Sequence, residues 1–169
     1  MRELMDNSMI YRSIKRISFE ILENNKGAEN LVLVGVKTRG EFLAYRIANC
    51  IKEIEGVDIT VCSLDASFWR DDSNKKVTEI PSIDIDLKDR TVILVDDVLF
   101  KGRTTRAALD GIMYYGRAKS IRLAVLIDRG HRELPIRPDF VGKNIPTSEQ
   151  ENVKVSLVEV DGIDGVYIQ

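Results

Sequence analysis

The segment Val92–Thr105, VILVDDVLFKGRTT, constrains this chain more than any other. Val92, Ile93, Leu94 and Val95 form a short apolar run that predicts a buried strand. Two adjacent carboxylates follow, Asp96 and Asp97, and then Lys101, Gly102, Arg103, Thr104 and Thr105 lead into a helical pattern. A strand, an acid pair, a glycine-containing turn and a helix start are how an open α/β sheet builds a phosphate–sugar site at the carboxyl ends of its strands. Backbone N–H groups after Gly102, with the helix N-terminus, can cradle a phosphate. The acids would repel that anion. They suit the hydroxyls of a ribose, which need acceptors.

Composition bounds the rest. A chain of 169 residues suits one domain, 1–169, and can bury about 70% of its unfolded surface. With 44% hydrophobic residues it has the material for a core. A formal charge of −2 excludes a uniformly basic nucleic-acid binder. It leaves room for one basic face, because local potential matters more than net charge. Cys50 and Cys62 lie in a helical and a strand pattern without a CxxC motif, which reads as core thiols in a reducing cytosol. No apolar signal segment opens the chain, and no run approaches about 18 apolar residues. The expectation is a soluble cytoplasmic protein with no membrane contact. One histidine and two separated cysteines argue against a zinc site, and no protein-held metal is assigned.

Ile10, Ile14, Ile17 and Ile21 mark an amphipathic helix that Gly27 should cap. Leu31–Val36 is a buried strand. A helix follows with Leu43, Ile47, Ile51 and Ile54 inward, ending at Gly56, and Asp58–Leu64 is a second strand. Residues 65–89 are polar, with a charged run at Arg70–Lys76, and predict a mobile functional loop or a hairpin. The motif strand, a helix from Thr104 to about Tyr115 and a strand at Ile121–Ile127 complete an alternation that argues a mostly parallel sheet flanked by helices.

The Val92–Thr105 segment resembles the phosphoribosyl-pyrophosphate (PRPP) motif of the type I phosphoribosyltransferases. LVLVGVKTRGEFLAYRIA (31–48), SFWRDD (67–72) and LAVLIDRGHRELPIRPDFVGKNIPTS (123–148) occur with it in one order. Together they resemble the bacterial pyrimidine-operon attenuation regulators that are also uracil phosphoribosyltransferases, over nearly the whole chain. The resemblance implies an α/β phosphoribosyltransferase fold with a smaller hood region. It also implies conversion of uracil and PRPP to UMP and pyrophosphate with Mg²⁺. That ion prefers substrate phosphates and water to an all-protein cage.

Such a transfer needs a pyrophosphate clamp, a ribose grip, a wall for the base and a lid. Lys37, Thr38, Arg39 and Gly40 fit the implied pyrophosphate loop. Two cations at a helix start are unfavourable against its dipole unless a ligand is present, although a plain basic helix start is the alternative. Asp96 and Asp97 should hold the ribose hydroxyls, and their proximity favours a raised pKa for one of them. Lys101, Gly102, Arg103, Thr104 and Thr105 should bind the 5′-phosphate. Lys101 stands where the family usually has a small hydroxyl residue. Arg70 is the implied lid arginine, though composition fits a solvated charge cluster with Asp71 and Asp72 equally well. Asp128, Arg129 and Gly130 resemble the uracil wall, with an apolar stacking surface from Val98 or Leu99. The lone His131 reads as structural or substrate-contacting rather than as a base. Neither Phe68 nor Trp69 has an assignable role, with hinge packing one option for the lone tryptophan.

Arg12, Lys15 and Arg16 lie opposite the isoleucine stripe, and Arg132, Arg137 and Lys143 add further charge. Sequence alone supports a basic patch. The resemblance implies that it binds a pyrimidine-operon leader messenger RNA in response to UMP or UTP, as a homodimer or higher oligomer. Lys15 and Phe19 depart from the family's commoner residues there. Three readings stand: the bifunctional regulator, a plain nucleobase (even purine) phosphoribosyltransferase without an RNA role, and a regulator with little catalysis. If the extra charge of Lys101 slows product release, Lys101→Thr raises kcat and weakens UMP affinity together. Steady-state kinetics with a UMP titration checks this, and an unchanged UMP Kd would place Lys101 outside the site.

Overall fold

The computed structural model describes residues 1–72 and 77–169. In chain order the elements are β1 (Arg2–Met5), α1 (Asn7–Asn25), β2 (Leu31–Val36), α2 (Arg39–Glu55) and β3 (Thr60–Leu64). A 3-10 turn at Ala66–Trp69 precedes β4 (Thr91–Leu99), α3 (Arg103–Tyr115), β5 (Ser120–Asp128) and β6 (Phe140–Asn144). The chain closes with β7 (Val153–Ser156), α4 (Val158–Asp161) and β8 (Gly165–Ile168). Five strands form a parallel sheet in the order β3-β2-β4-β5-β6. A smaller antiparallel sheet, β1-β8-β7, makes the hood.

The continuous apolar run of β2 follows from burial on both faces, as parallel sheets require. Leu31 and Leu33 join one core with the α1 isoleucines and Leu43, Ile47 and Ile51 of α2. Val32, Val34 and Val36 join a second core with Ala107, Ala108 and Ile112 of α3. Cys50 and Cys62 are free and buried, and burial pushes the Cys62 thiol up to about 11.

Several boundaries differ from the sequence expectation. Lys26, not Gly27, is the left-handed cap of α1 (φ 56°), and the Gly27 N–H reaches back to the Leu22 carbonyl at 2.8 Å. The strand expected from Asp58 begins at Thr60. β4 does not stop at the acids: its pairing with β5 continues from Asp96↔Val125 to Leu99↔Asp128. The hairpin expected within 65–89 is not formed by the described residues, which hold only the 3-10 turn. Ser73–Lys76 of the charged run lie outside the described residues. β1 was too short to carry a sequence signal. Among the described residues, no helix is long and apolar enough to cross a membrane.

Two glycines bring the start of α2 down onto the sheet. A Cβ on Gly40 would lie 2.4 Å from the Val95 carbonyl oxygen, and one on Gly35 would lie 2.4 Å from Glu41 Cα. Both obstacles are backbone, so neither can rotate away. Arg46 of α2 then holds the hood. It pairs with Glu159 at 2.6 Å and with Asp164 at 2.8 Å, and these bonds hold its pKa above the ordinary guanidinium value. Gly35→Ala is expected to cost about 1–3 kcal/mol, the usual range for forced overpacking. Urea unfolding reads this, and an unchanged midpoint would mean that the α2 start can lift off the sheet.

Candidate active site

The three loops that follow β2, β4 and β5 meet at one edge of the sheet, because those strands are neighbours and parallel. Asp96 and Asp97 stand at the centre. Asp96 is buried, at 8% exposure, and Asp97 is half-buried. The Asp97 N–H donates to Asp96 Oδ1 at 2.9 Å, and the Val98 N–H donates to Asp97 Oδ1 at 2.7 Å. Each acid is thereby fixed by the next backbone amide. Burial first, and the Asp97 charge second, hold the Asp96 carboxyl well above the ordinary carboxylate value.

Gly102 starts α3 in the left-handed conformation (φ 91°), and no side chain caps the helix. The first amides of α3 therefore remain available to an anion. They face a cleft of about 390 Å³ lined by Lys101–Thr105 together with Arg70 and Asp72. Arg70 donates to Thr104 Oγ1 at 2.7 Å and binds Asp72 through two bonds, at 2.7 and 2.8 Å. Arg70 thus rests on the loop that opens α3. Its root is anchored by Trp69, which packs over Gly111 of α3, where a Cβ would come within 2.9 Å of the indole ring. Arg106 adds a 2.9 Å bond to the Trp69 carbonyl. Trp69 is therefore packing at the base of the arm.

In the β2 loop, Lys37 and Thr38 are exposed, the peptide bond between them is cis, and Gly40 is buried against β4. Arg39 lies between the site and the hood. It binds the Asp161 carboxylate through two bonds, at 2.7 and 3.1 Å. Asp161 and the Arg46 cluster were not anticipated. Their partners lie more than 110 residues away in the chain, beyond any local pattern.

The β5 loop is built more tightly than its sequence indicates. Asp128 accepts from the Gly130 N–H at 3.0 Å and from Arg132 at 2.7 Å. The Arg129 guanidinium is buried. It stacks 3.9 Å from the centre of the Phe100 ring and donates to Thr147 Oγ1, the Ser148 carbonyl and the Glu151 carbonyl. Burial lowers its pKa from the usual guanidinium value. The Arg129 side chain thus organises residues 147–151, and its backbone N–H bonds Leu99 O at 3.1 Å. Leu99 is 2% exposed and belongs to the core, so it offers no open stacking surface, whereas Val98 and Phe100 are half-buried. A cavity of about 460 Å³ opens beside Asp128, Arg129 and Gly130, against Ile145 and Pro146. His131 is held by a bond between Nε2 and the Thr147 carbonyl and by edge contact with Phe100, which favours the structural reading.

The basic residues separate into two groups. Arg12, Lys15, Arg137 and Lys143 are exposed. Arg16 donates to the carbonyls of Val141 (2.9 Å) and Gly142, which ties α1 to β6 and brings Lys143 alongside. Arg132 turns inward, to the carbonyls of Phe100 (3.0 Å) and Ile136 (2.9 Å) as well as Asp128. It is a staple of the site loops rather than part of an open face. Among the described residues, no group of three or more His, Cys, Asp or Glu side chains could cage a metal. Asp96 and Asp97 are the paired carboxylates at the centre of the site.

A carboxyl whose folded pKa is raised costs stability as it ionises. As pH rises above 3.8, the unfolded chain loses the Asp96 proton first, and stability falls until the folded pKa is passed. Above that pH the cost is fully present. Asp96→Asn is therefore expected to raise Tm at pH 8 and to flatten the decline that begins near pH 4. Thermal unfolding across pH checks this, and parallel wild-type and variant profiles would refute it.

Residues 1–160 match the family described as the phosphoribosyl transferase domain. The chain is 52% identical over 170 residues to the bifunctional protein PyrR of Leuconostoc citreum (strain KM20), covering 99% of this chain and 97% of that one. It is 55% identical over 171 residues to the bifunctional protein PyrR of Clostridioides difficile (strain 630), with the same coverage. In structure it is similar to a hypoxanthine-guanine phosphoribosyltransferase of Bacillus anthracis, with a TM-score of 0.74, 20% identity, and 100% and 97% of the two chains covered. A hypoxanthine phosphoribosyltransferase of Trypanosoma cruzi gives a TM-score of 0.76 at 17% identity, with 99% and 95% covered. At those identities the two solved structures support the fold alone.

Proposed function

This chain belongs to the phosphoribosyl transferase domain family, within its bifunctional PyrR branch, and from that premise we propose that it is a uracil phosphoribosyltransferase that also regulates the pyrimidine biosynthesis operon by binding leader RNA. The observation that carries the catalytic half is the fixed acid pair in the last part of the β4 ladder, with the uncapped start of α3 at Arg103 just beyond the strand. The RNA half rests on the PyrR relatives and on the exposed cations along the α1–β6 seam.

In this reading the amides of Gly102–Thr105 and the Thr104 and Thr105 hydroxyls hold the 5′-phosphate of PRPP. Asp96 and Asp97 accept from the ribose hydroxyls. As the bond from ribose C1 to pyrophosphate breaks, positive charge develops at C1 and the nearby carboxylates stabilise it; uracil N1 bonds to C1 and releases its proton to solvent or to the departing pyrophosphate, which Lys37, Thr38, Arg39 and Gly40 receive. Asp96 and Asp97 lie where they could help hold a magnesium ion brought in with PRPP, which would supply neutralisation of part of that leaving charge. Backbone groups at Asp128–Gly130 present donors and acceptors to the two carbonyls and the N–H of uracil, beside Val98 and Phe100. Arg70 moves from Thr104 to cover the bound phosphates.

For RNA, Arg12, Lys15, Arg16, Arg137 and Lys143 meet phosphates, and two copies of the chain together present an area large enough for a stem-loop. The protein works in the cytoplasm, as one domain over 1–169. Asp97→Asn is expected to lower turnover by about 10²-fold or more, by loss of charge stabilisation in the transition state. Leader-RNA binding should tighten with UMP and weaken steeply with salt, since each neutralised phosphate releases counterions. Two assays test the whole reading: UMP formation from uracil against IMP formation from hypoxanthine, and RNA anisotropy with and without UMP at two salt concentrations. Use of hypoxanthine but not uracil would mean a purine enzyme. Absence of RNA binding at micromolar protein would mean a plain transferase, and binding without turnover a regulator alone.

A further inference from the structure

The segment that follows the base wall is tied to the phosphate loop at every level. The Glu133 N–H donates to the Lys101 carbonyl at 2.9 Å. Arg132 donates to the Phe100 carbonyl at 3.0 Å. The Ile136 side chain sits over Gly102, where a Cβ would lie 3.3 Å from Ile136 Cδ1. The Glu133 carboxylate closes the set, 3.3 Å from Arg103 Nε and 3.9 Å from Lys101 Nζ. It is therefore an anion held by two cations of the phosphate loop, and the next exposed cation after the clasp is Arg137.

We propose that Glu133 is a built-in competitor for the nucleotide 5′-phosphate and the residue through which nucleotide occupancy is communicated to the RNA face. The proposal rests on the bifunctional reading above. A phosphate dianion in the loop satisfies Arg103 and Lys101 better than a single, 46% exposed carboxylate. Its arrival releases Glu133. Residues 133–137 hang on the same loop by the backbone bond and the Ile136 contact, so loss of the ion pairs shifts the part of the clasp that carries Arg137. It also moves a negative charge relative to the face that meets RNA phosphates. Linkage makes the effect reciprocal: RNA that favours the released arrangement must tighten nucleotide binding by the same factor. The presence of a lysine at position 101 strengthens the grip on Glu133 in this chain.

The test compares wild type with Glu133→Gln, which keeps size and polarity and removes the charge. Calorimetry gives the UMP Kd of each, and anisotropy gives the affinity for a pyrimidine-operon leader RNA with and without UMP. The expected result is a UMP Kd lowered by about three- to tenfold, which corresponds to loss of one or two partly exposed ion pairs. With it, the ratio of RNA affinities with and without UMP should fall towards one, because the variant starts in the released arrangement. Glu133→Asp, which retains the charge, should restore much of the ratio. A variant that keeps both the wild-type UMP Kd and the wild-type ratio would overturn the proposal while leaving the bifunctional reading intact. A wild type that binds RNA with no response to UMP would overturn the coupling. A wild type that binds no RNA would overturn the coupling and the regulatory half of that reading together.

Discussion

Pairing of β4 on both sides is the constraint on which the rest of the molecule depends. β2 and β5 each run parallel to it, and the ladder with β5 persists through the acid pair to Leu99. Had the ladder stopped at Val95, Asp96 would sit in a solvated turn with an ordinary pKa. Because it continues, Asp96 is buried and held within a strand that is paired with β5 both before and after it. Parallel pairing also fixes which loops can cooperate, since every strand delivers its following loop to the same edge. The phosphate loop, the β2 loop and the base wall converge for that reason and need no further device to bring them together.

The hood is held differently. Its strands pair with one another in a separate sheet, so α2 and the hood are joined by side chains. Arg39 and Arg46 supply two-pronged bonds to Asp161, Glu159 and Asp164. A planar guanidinium can meet carboxylates in this way and a lysine cannot. These pairs are only partly buried, with Arg39 at 28% and Arg46 at 20% exposure, so their value lies more in orientation than in net stability. They set the height of the hood above the β2 loop. Arg39 belongs to both regions at once, rooted at the start of α2 and held by the Asp161 carboxylate.

The fold and the phosphate loop were legible in the sequence because their signals are local. Continuous apolar runs gave β2 and β4, four-and-three spacing gave α1, and Gly102 marked the turn between β4 and α3. The parts that were not legible are relations between distant residues. Nothing near Arg129 shows that it will stack on Phe100 and anchor residues 147–151. Nothing near Arg132 shows that three carbonyls and the Asp128 carboxylate will consume its donors. A charge read along a chain looks solvated or ligand-seeking, and only the fold reveals a third choice, a guanidinium spent on backbone carbonyls. Trp69 is similar: its role depends on the bare face of Gly111, which a one-dimensional pattern cannot pair with it.

Arg16 carries this last point into the reading of the basic face. β6 is an edge strand, and edges with unpaired backbone groups invite unwanted pairing. The guanidinium of Arg16 takes up the Val141 and Gly142 carbonyls across the seam from α1. It therefore protects the edge as well as adding charge to the surface. Replacing it removes a backbone partner and a cation together, and a loss of RNA affinity on that change would not separate the two. Arg12 and Lys15, exposed on the same helix, carry charge without an inward bond among the described residues. If electrostatics governs the face, removing Lys15 lowers the salt dependence of binding by about one phosphate contact. It should do so without changing the stability of β6. One helix can thus divide its cations, with Arg16 committed to the fold and Arg12 and Lys15 left exposed beside it.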